Sequence, residues 1–425
     1  MQRRELLAGA MAGLVACGLE APTRAPATRA AARTSALSAA MQSFVDRGDV
    51  PGIVTGIRRG GAVDVQAFGV RTLGHPELAR RDTIFRISSM TKPVTAVATL
   101  MLVEEGKLQL DEPVDRLLPE LAHRRVLRSP DAPLDDTVPA TRAITVRDLL
   151  AFTMGLGISL DPPGTHPIQR EIEALQLGQG IPAYGSLPEA DEWMRRLGSL
   201  PLVHQPGAAW MYNTGSDVLG VLVARASGMG FESFLRERVF APLGMQDTGF
   251  SVPDASLHRL ATSYVVDPKT GALVVYDTPR NGQWSSPPPF ASGAGGLVST
   301  IDDYLAFAEM LLERGSFRGR RLLSPESVRQ MTTDQLTAQQ KAATRWTPGY
   351  FDAHGWGFGV AVVTARDELG LSPGAFGWFG GMGSSWFCDP SERRVGILLT
   401  QRAWTSPVPP PIDQSFWRIV NDDQH

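Results

Sequence analysis

The chain has 425 residues, 43% of them hydrophobic, which is ample for a large core shared by two subdomains. Its 41 Lys and Arg against 44 Asp and Glu leave a formal charge of −3, and no basic block is interleaved with aromatics, so no nucleic-acid partner is expected. The two cysteines, Cys17 and Cys388, offer neither a disulfide framework nor a metal-ligand spacing, so no metal and no cofactor is expected.

At the N-terminus, Arg3-Arg4-Glu5-Leu6-Leu7 precedes an Ala/Gly/Leu run to Ala16 that is too short to span a bilayer. The arginine pair resembles a twin-arginine export signal, and Leu14-Val15-Ala16-Cys17 resembles a bacterial lipobox. Residues 1–17 are therefore expected to direct export to the periplasm, with Cys17 as a lipid tether to the membrane; the alternative is a cytoplasmic start. Residues 18–36, rich in Ala, Thr, Pro and Arg, read as a disordered tether.

The folded domain is expected over 37–415. Ala36 to Arg47 reads as an amphipathic helix, and Gly52 to Arg58 and Ala62 to Gly69 as strands joined at Gly60-Gly61. Thr83 to Ile87 is a strand that enters a helix running from Val94 to Leu102, before Gly106. Residues 128–142 are a surface excursion, and Thr145 is the N-cap of the next helix. Residues 157–188 have little periodicity and read as a loop or a pocket wall. Helices follow at Glu189–Leu197, Ser216–Ser227 (closed by Gly228) and Phe231–Phe240. Tyr264 to Tyr276 is a hairpin turning at Asp267-Pro268-Lys269-Thr270-Gly271. Gly293 to Thr300 leads into a helix at Asp302–Leu312. The remainder returns to strands at Gly357–Val363, Ala375–Phe379, Ser384–Cys388 and Val395–Gln401. Strands at both ends with helices between give an α+β class. The antiparallel sheet comes from about 37–110 and 285–415, with a helical subdomain inserted at about 111–284.

The chemistry concentrates at Ser88-Ser89-Met90-Thr91-Lys92-Pro93. Ser89 stands at the start of a helix with Lys92 one turn on, along the same face. A serine hydroxyl is a poor nucleophile until a neighbour takes its proton, and a lysine amine can do so only when neutral. Burial and the positive end of a helix both favour the neutral amine. Of four lysines, only Lys92 has a serine three residues before it. The bland alternative is an N-cap serine followed by a solvated lysine.

Ser89-Met90-Thr91-Lys92-Pro93, Tyr212-Asn213-Thr214 and Trp378-Phe379-Gly380 together resemble the three motifs of family VIII carboxylesterases. These are relatives of class C β-lactamases and D-alanyl-D-alanine carboxypeptidases. Pro206-Gly207, Pro242-Leu243-Gly244-Met245, Gly295 to Thr300 and Asp389-Pro390 match as well, so the resemblance covers about 38–415. It implies a serine β-lactamase/penicillin-binding-protein-like fold and an acyl-enzyme on Ser89, with either Lys92 or Tyr212 as the base. The amides of Ser89 and Gly381 would form the oxyanion hole. Trp378, Phe379 and Gly380 would contact a small-molecule ester, Gly380 by admitting close approach of backbone and substrate. Lys269-Thr270-Gly271 spells a β-lactamase third motif but falls in the hairpin turn and reads as a solvated decoy.

Several departures favour neutral esters over β-lactams. Thr214 stands where penicillin-recognising enzymes carry Asn, with Asn213 offset by one and not expected to face the site. Phe152-Thr153-Met154-Gly155 replaces the commoner His-Thr-Ser-Gly. The third motif lacks the Lys/His and hydroxyl that hold a carboxylate, a role left to Arg402 or Ser384. The expectation is a serine hydrolase of short-chain acyl esters. The alternatives are a β-lactamase or D-Ala-D-Ala carboxypeptidase/transacylase, a penicillin-binding sensor that does not turn over, and a catalytically dead binding homologue.

Overall fold

The computed structural model describes residues 26–178, 180, 183 and 187–422; the export signal, Cys17 and the stretch 18–25 lie outside the described residues. The first helix, α1 (Pro26–Asp46), begins inside the stretch expected to be a tether. Proline at the first helical position and the Ala30-Ala31-Ala32 run carry little helical cost. Leu37, Met41 and Phe44, spaced for one helix face, are buried, and Arg33 Nη2 donates to Asp422 O at 2.7 Å.

After α1 come β1 (Gly52–Arg59) and β2 (Ala62–Gly69). The helices that position the site are α2 (Thr91–Glu104), α3 (Val146–Leu150), α4 (Thr214–Ser227) and α5 (Ile301–Leu312). The C-terminal part adds β3 (His354–Trp356), β4 (Ala361–Val363), β5 (Phe376–Gly380), β6 (Ser384–Asp389) and β7 (Arg394–Thr400), then α6 (Pro411–Asn421). These strands form one seven-stranded sheet ordered β3-β4-β5-β6-β7-β1-β2. Every neighbouring pair is antiparallel, so the N-terminal hairpin completes a sheet made by the C-terminal third.

Side chains alternate across the pleat. Val54 and Leu399 join the core under α5 and α2, whereas their neighbours Ile53 and Leu398 join the core formed with α1 and α6. Twelve consecutive residues of α2, Thr91 to Leu102, are buried. A helix apolar on every side belongs in the middle of a protein, and α2 lies between the sheet and the helical layer. Pro93 falls in its first turn, where the missing N–H is no loss. Thr145 caps α3 in a capping box with Asp148, as its sequence position implied. Gly228 ends α4 in a left-handed conformation, φ 71°. The 157–188 stretch is not all loop: Pro167–Ala174 is helical, with His166 as its N-cap.

Candidate active site

The short strand Phe85–Arg86 pairs with Val298–Ser299, and the chain then makes a tight turn over Ser88–Met90 before α2 begins. Ser88 has φ 45°, an uncommon conformation for a non-glycine residue. Tyr304 Oη donates to Met90 O at 2.7 Å and holds the turn from below. The result is a half-buried Ser89 at the helix start, facing a cavity. Lys92 is wholly buried, with Nζ donating to Ser89 Oγ at 2.8 Å and to Ala294 O at 2.7 Å. Burial pushes its pKa down to about 7, against the opposing charge of Asp217.

Tyr212 reaches the same point from the turn before α4. Lys92 Nζ lies 4.5 Å from the centre of its ring, and Trp378 Nε1 on β5 donates to Tyr212 Oη at 2.5 Å. Burial drives the Tyr212 pKa up, only partly offset by its bonds to Ser89 and Trp378. Two strained residues shape this corner. Asn213 has φ 86° and Phe152 has φ 60°. Phe152 sits edge-on to Tyr212, ring centres 5.9 Å apart, and its carbonyl accepts from Met211 N at 2.8 Å. Asn213 lines the cavity, contrary to the offset expected from the motif.

β5 runs beside the Ser89 turn. A Cβ at Gly380 would stand under 3.0 Å from Ile87 O and Ser384 Oγ, whereas one at Gly381 would meet nothing within 4 Å. Gly380 is therefore required by strand-to-turn packing and does not line the cavity. Gly381 does line it, together with Trp378 and Phe379. The cavity is about 730 Å³, within the range of small-molecule sites, and its lining includes the aromatic residues Trp346, Tyr350, Trp378, Phe379 and Trp404.

The beta-lactamase family profile matches residues 37–410. The chain belongs to the beta-lactamase family. It is 40% identical over 368 residues to Protein Rv1367c of Mycobacterium tuberculosis, covering 85% of this chain and 88% of that one. It is 32% identical over 358 residues to Esterase EstB of Burkholderia gladioli, covering 80% and 82%. Among solved structures, "EstCE1, a hydrolase with promiscuous acyltransferase activity" superposes with a TM-score of 0.75 at 25% identity, covering 92% of this chain and 99% of the other. The protein is thus a β-lactamase-related serine hydrolase, similar to esterases and acyltransferases of this family.

The charged residues lining this cavity, Arg366, Asp367 and Glu368, come from the chain after β4, not from β5. Neither residue considered as a carboxylate partner faces the cavity. Ser384 is buried and donates to Ile87 O at 3.1 Å. Arg402 donates to Asp49 O at 3.0 Å and lines a separate cavity of about 340 Å³ that shares only Trp404 with this one. His354 and Arg366, which do line the site, lie on or beyond the outer strands β3 and β4. His354 is two ladder spacings from β5, roughly 10 Å. His354 Nε2 faces Asp367 Oδ2 at 3.2 Å and Arg366 Nη1 donates to Gly370 O at 3.3 Å. Lys269 is exposed in its turn, its amide donating to Asp267 Oδ1 at 2.7 Å, away from the cavity.

Three parts of this candidate site escaped the motif reading. Asp217, five residues past Tyr212, is buried on α4. Ala294 supplies the carbonyl for Lys92. Trp346 and Tyr350 come from a segment with no β-lactamase motif; their clustering with Phe351 around Thr347-Pro348-Gly349 was the signal available.

Proposed function

We propose that this protein is a carboxylesterase that cleaves neutral, apolar esters with short acyl groups through an acyl-enzyme on Ser89. The observation that carries the reading is the wholly buried Lys92 amine at 2.8 Å from Ser89 Oγ with its pKa brought down to about 7. In the neutral amine the Ser89 hydroxyl donates across that line. As Oγ attacks the acyl carbonyl, its proton passes to Lys92 Nζ and the carbonyl electrons collect on an oxyanion held by the Ser89 and Gly381 amides. Collapse expels the alkoxide, which takes a proton relayed from Lys92 through the Tyr212 hydroxyl. Tyr212 suits a relay better than a resting base, because its burial favours the protonated phenol. Water then attacks the acyl-enzyme by the reverse route.

The lining supports neutral substrates. A β-lactam carboxylate must be desolvated and matched by a cation or hydroxyl, and β5 offers Trp378 and Phe379 instead. The volume exceeds the needs of a short acyl chain, so the alcohol half is expected to be bulky and ring-bearing, packed on the aromatic walls. The same apolar walls favour a second outcome, acyl transfer to an alcohol seated where water would attack. Steady-state kinetics with p-nitrophenyl butyrate, a chromogenic cephalosporin, benzylpenicillin and a D-Ala-D-Ala peptide test the reading. Multiple turnovers on the ester, lost in Ser89→Ala, are expected; a penicillin kcat/KM equal to the ester value would overturn it.

A further inference from the structure

The segment Ser292 to Leu297 is the wall behind Lys92, and it is pinned from two helices. Thr95 Oγ1 on α2 donates to Gly293 O at 2.8 Å, and Thr91 Oγ1 accepts from Leu297 N at 3.1 Å. From α4, Asp217 Oδ1 accepts from Ser292 Oγ at 2.6 Å and from Ala294 N at 3.1 Å. Gly293 permits this approach: a Cβ there would collide with Ser216 O and lie 3.1 Å from Thr95 Cγ2. Ala294 thus has its N–H on Asp217 and its carbonyl on Lys92 Nζ. One peptide residue links the buried acid to the buried amine.

We propose that Asp217 is the positioning residue for Lys92, aiming the amine at Ser89 through Ala294 and setting by its charge the pH at which that amine becomes free to accept a proton. This rests on the acyl-enzyme reading above. The groups that face Lys92 are the Ser89 hydroxyl from its own turn, the Tyr212 ring and Asp217 from the α4 side, and the Ala294 carbonyl. Among the described residues, Asp217 is the one charge acting on it, and it favours the ammonium. Burial alone would lower the Lys92 pKa further, at the expense of its basicity. Asp217 carries a raised pKa, again from burial first, so the pair shares its charge in the neutral range.

The test is the pH profile of kcat/KM for p-nitrophenyl butyrate in Asp217→Asn, with active sites counted by fluorophosphonate labelling. The amide keeps an acceptor for Ala294 N and removes the charge. The acid limb is expected to move to lower pH by about one unit, the lower end of the effect of a close opposite charge. Ser292→Ala withdraws one of the two bonds that keep the carboxylate ionised, so it should shift the limb the same way by less. It decides the matter if Asp217→Asn does not fold. An acid limb that stays in place with full labelling overturns the proposal. Ser89→Ala, measured alongside, separates the two ideas. If it still turns over, the acyl-enzyme reading fails; if it is inert and the limb has not moved, only the role of Asp217 fails.

Discussion

Gly380→Ala is the sharpest probe of how β5 serves Ser89. A methyl at 380 would stand under 3.0 Å from Ile87 O, one residue before Ser88, and from Ser384 Oγ, whose own bond goes to the same carbonyl. Ile87 O is backbone, and the short Ser384 side chain is tied to it by a hydrogen bond. Restoring an ordinary contact of 3.4 Å or more moves β5 away from the turn by about 1 Å. That displacement carries Gly381, the next residue, away from the position where its amide is proposed to meet the oxyanion. Misplacement on this scale costs roughly 10²-fold in rate, comparable with loss of one oxyanion donor. The overpacking itself costs about 1–3 kcal/mol of stability. Gly381→Ala is the control: its Cβ meets nothing within 4 Å, so it should fold normally and keep kcat within about tenfold, an amide donor being retained. The assay is kcat on p-nitrophenyl butyrate normalised to fluorophosphonate-labelled sites, with melting temperatures beside it. Gly380→Ala with kcat within threefold of the parent and an unchanged Tm would refute the argument.

Other expectations follow from the same geometry. Ser89→Ala should abolish turnover with the melting temperature nearly unchanged, while Ser88→Ala should keep the rate within about threefold, since alanine tolerates φ 45° no worse than serine; a dead Ser88 variant with an active Ser89 variant would move the nucleophile by one residue. The acid limb of kcat/KM should fall tenfold per pH unit below about 7, because protonation of Lys92 removes the acceptor for the Ser89 proton; a profile flat from pH 5 to 8 would contradict a lysine base. Lys269→Ala should retain parental activity, its side chain lying in an exposed turn; a loss beyond about a hundredfold would return the third motif to that turn.

The relation of Ser89 to Lys92 was readable from sequence because it is local: a separation of three on a helix places both on one face whatever surrounds them. Thr145 as a cap, Gly228 as a helix stop and Lys269 in its turn were readable for the same reason, each depending on a few consecutive residues. Tyr212 and Trp378 were found through motif order, yet their hydrogen bond joins residues 166 positions apart, and only the folded chain brings that pair together. Asp217 carried no signal, because an acid three residues beyond a motif means nothing until Gly293 lets the 292–297 segment close over α2 and α4. Gly380 was read as admitting close approach of backbone and substrate, and the folded protein uses the missing Cβ for the backbone, seating a strand against Ile87. The start of α1 was missed because its Ala/Thr/Arg composition also fits a tether, and the burial of Leu37, Met41 and Phe44 that stabilises it is supplied by the distant sheet and α6. Local spacing therefore determined which residues can do the chemistry. Long-range packing decided which of them are buried, which are charged and what lines the cavity, since desolvation and close contact arise only when distant segments meet.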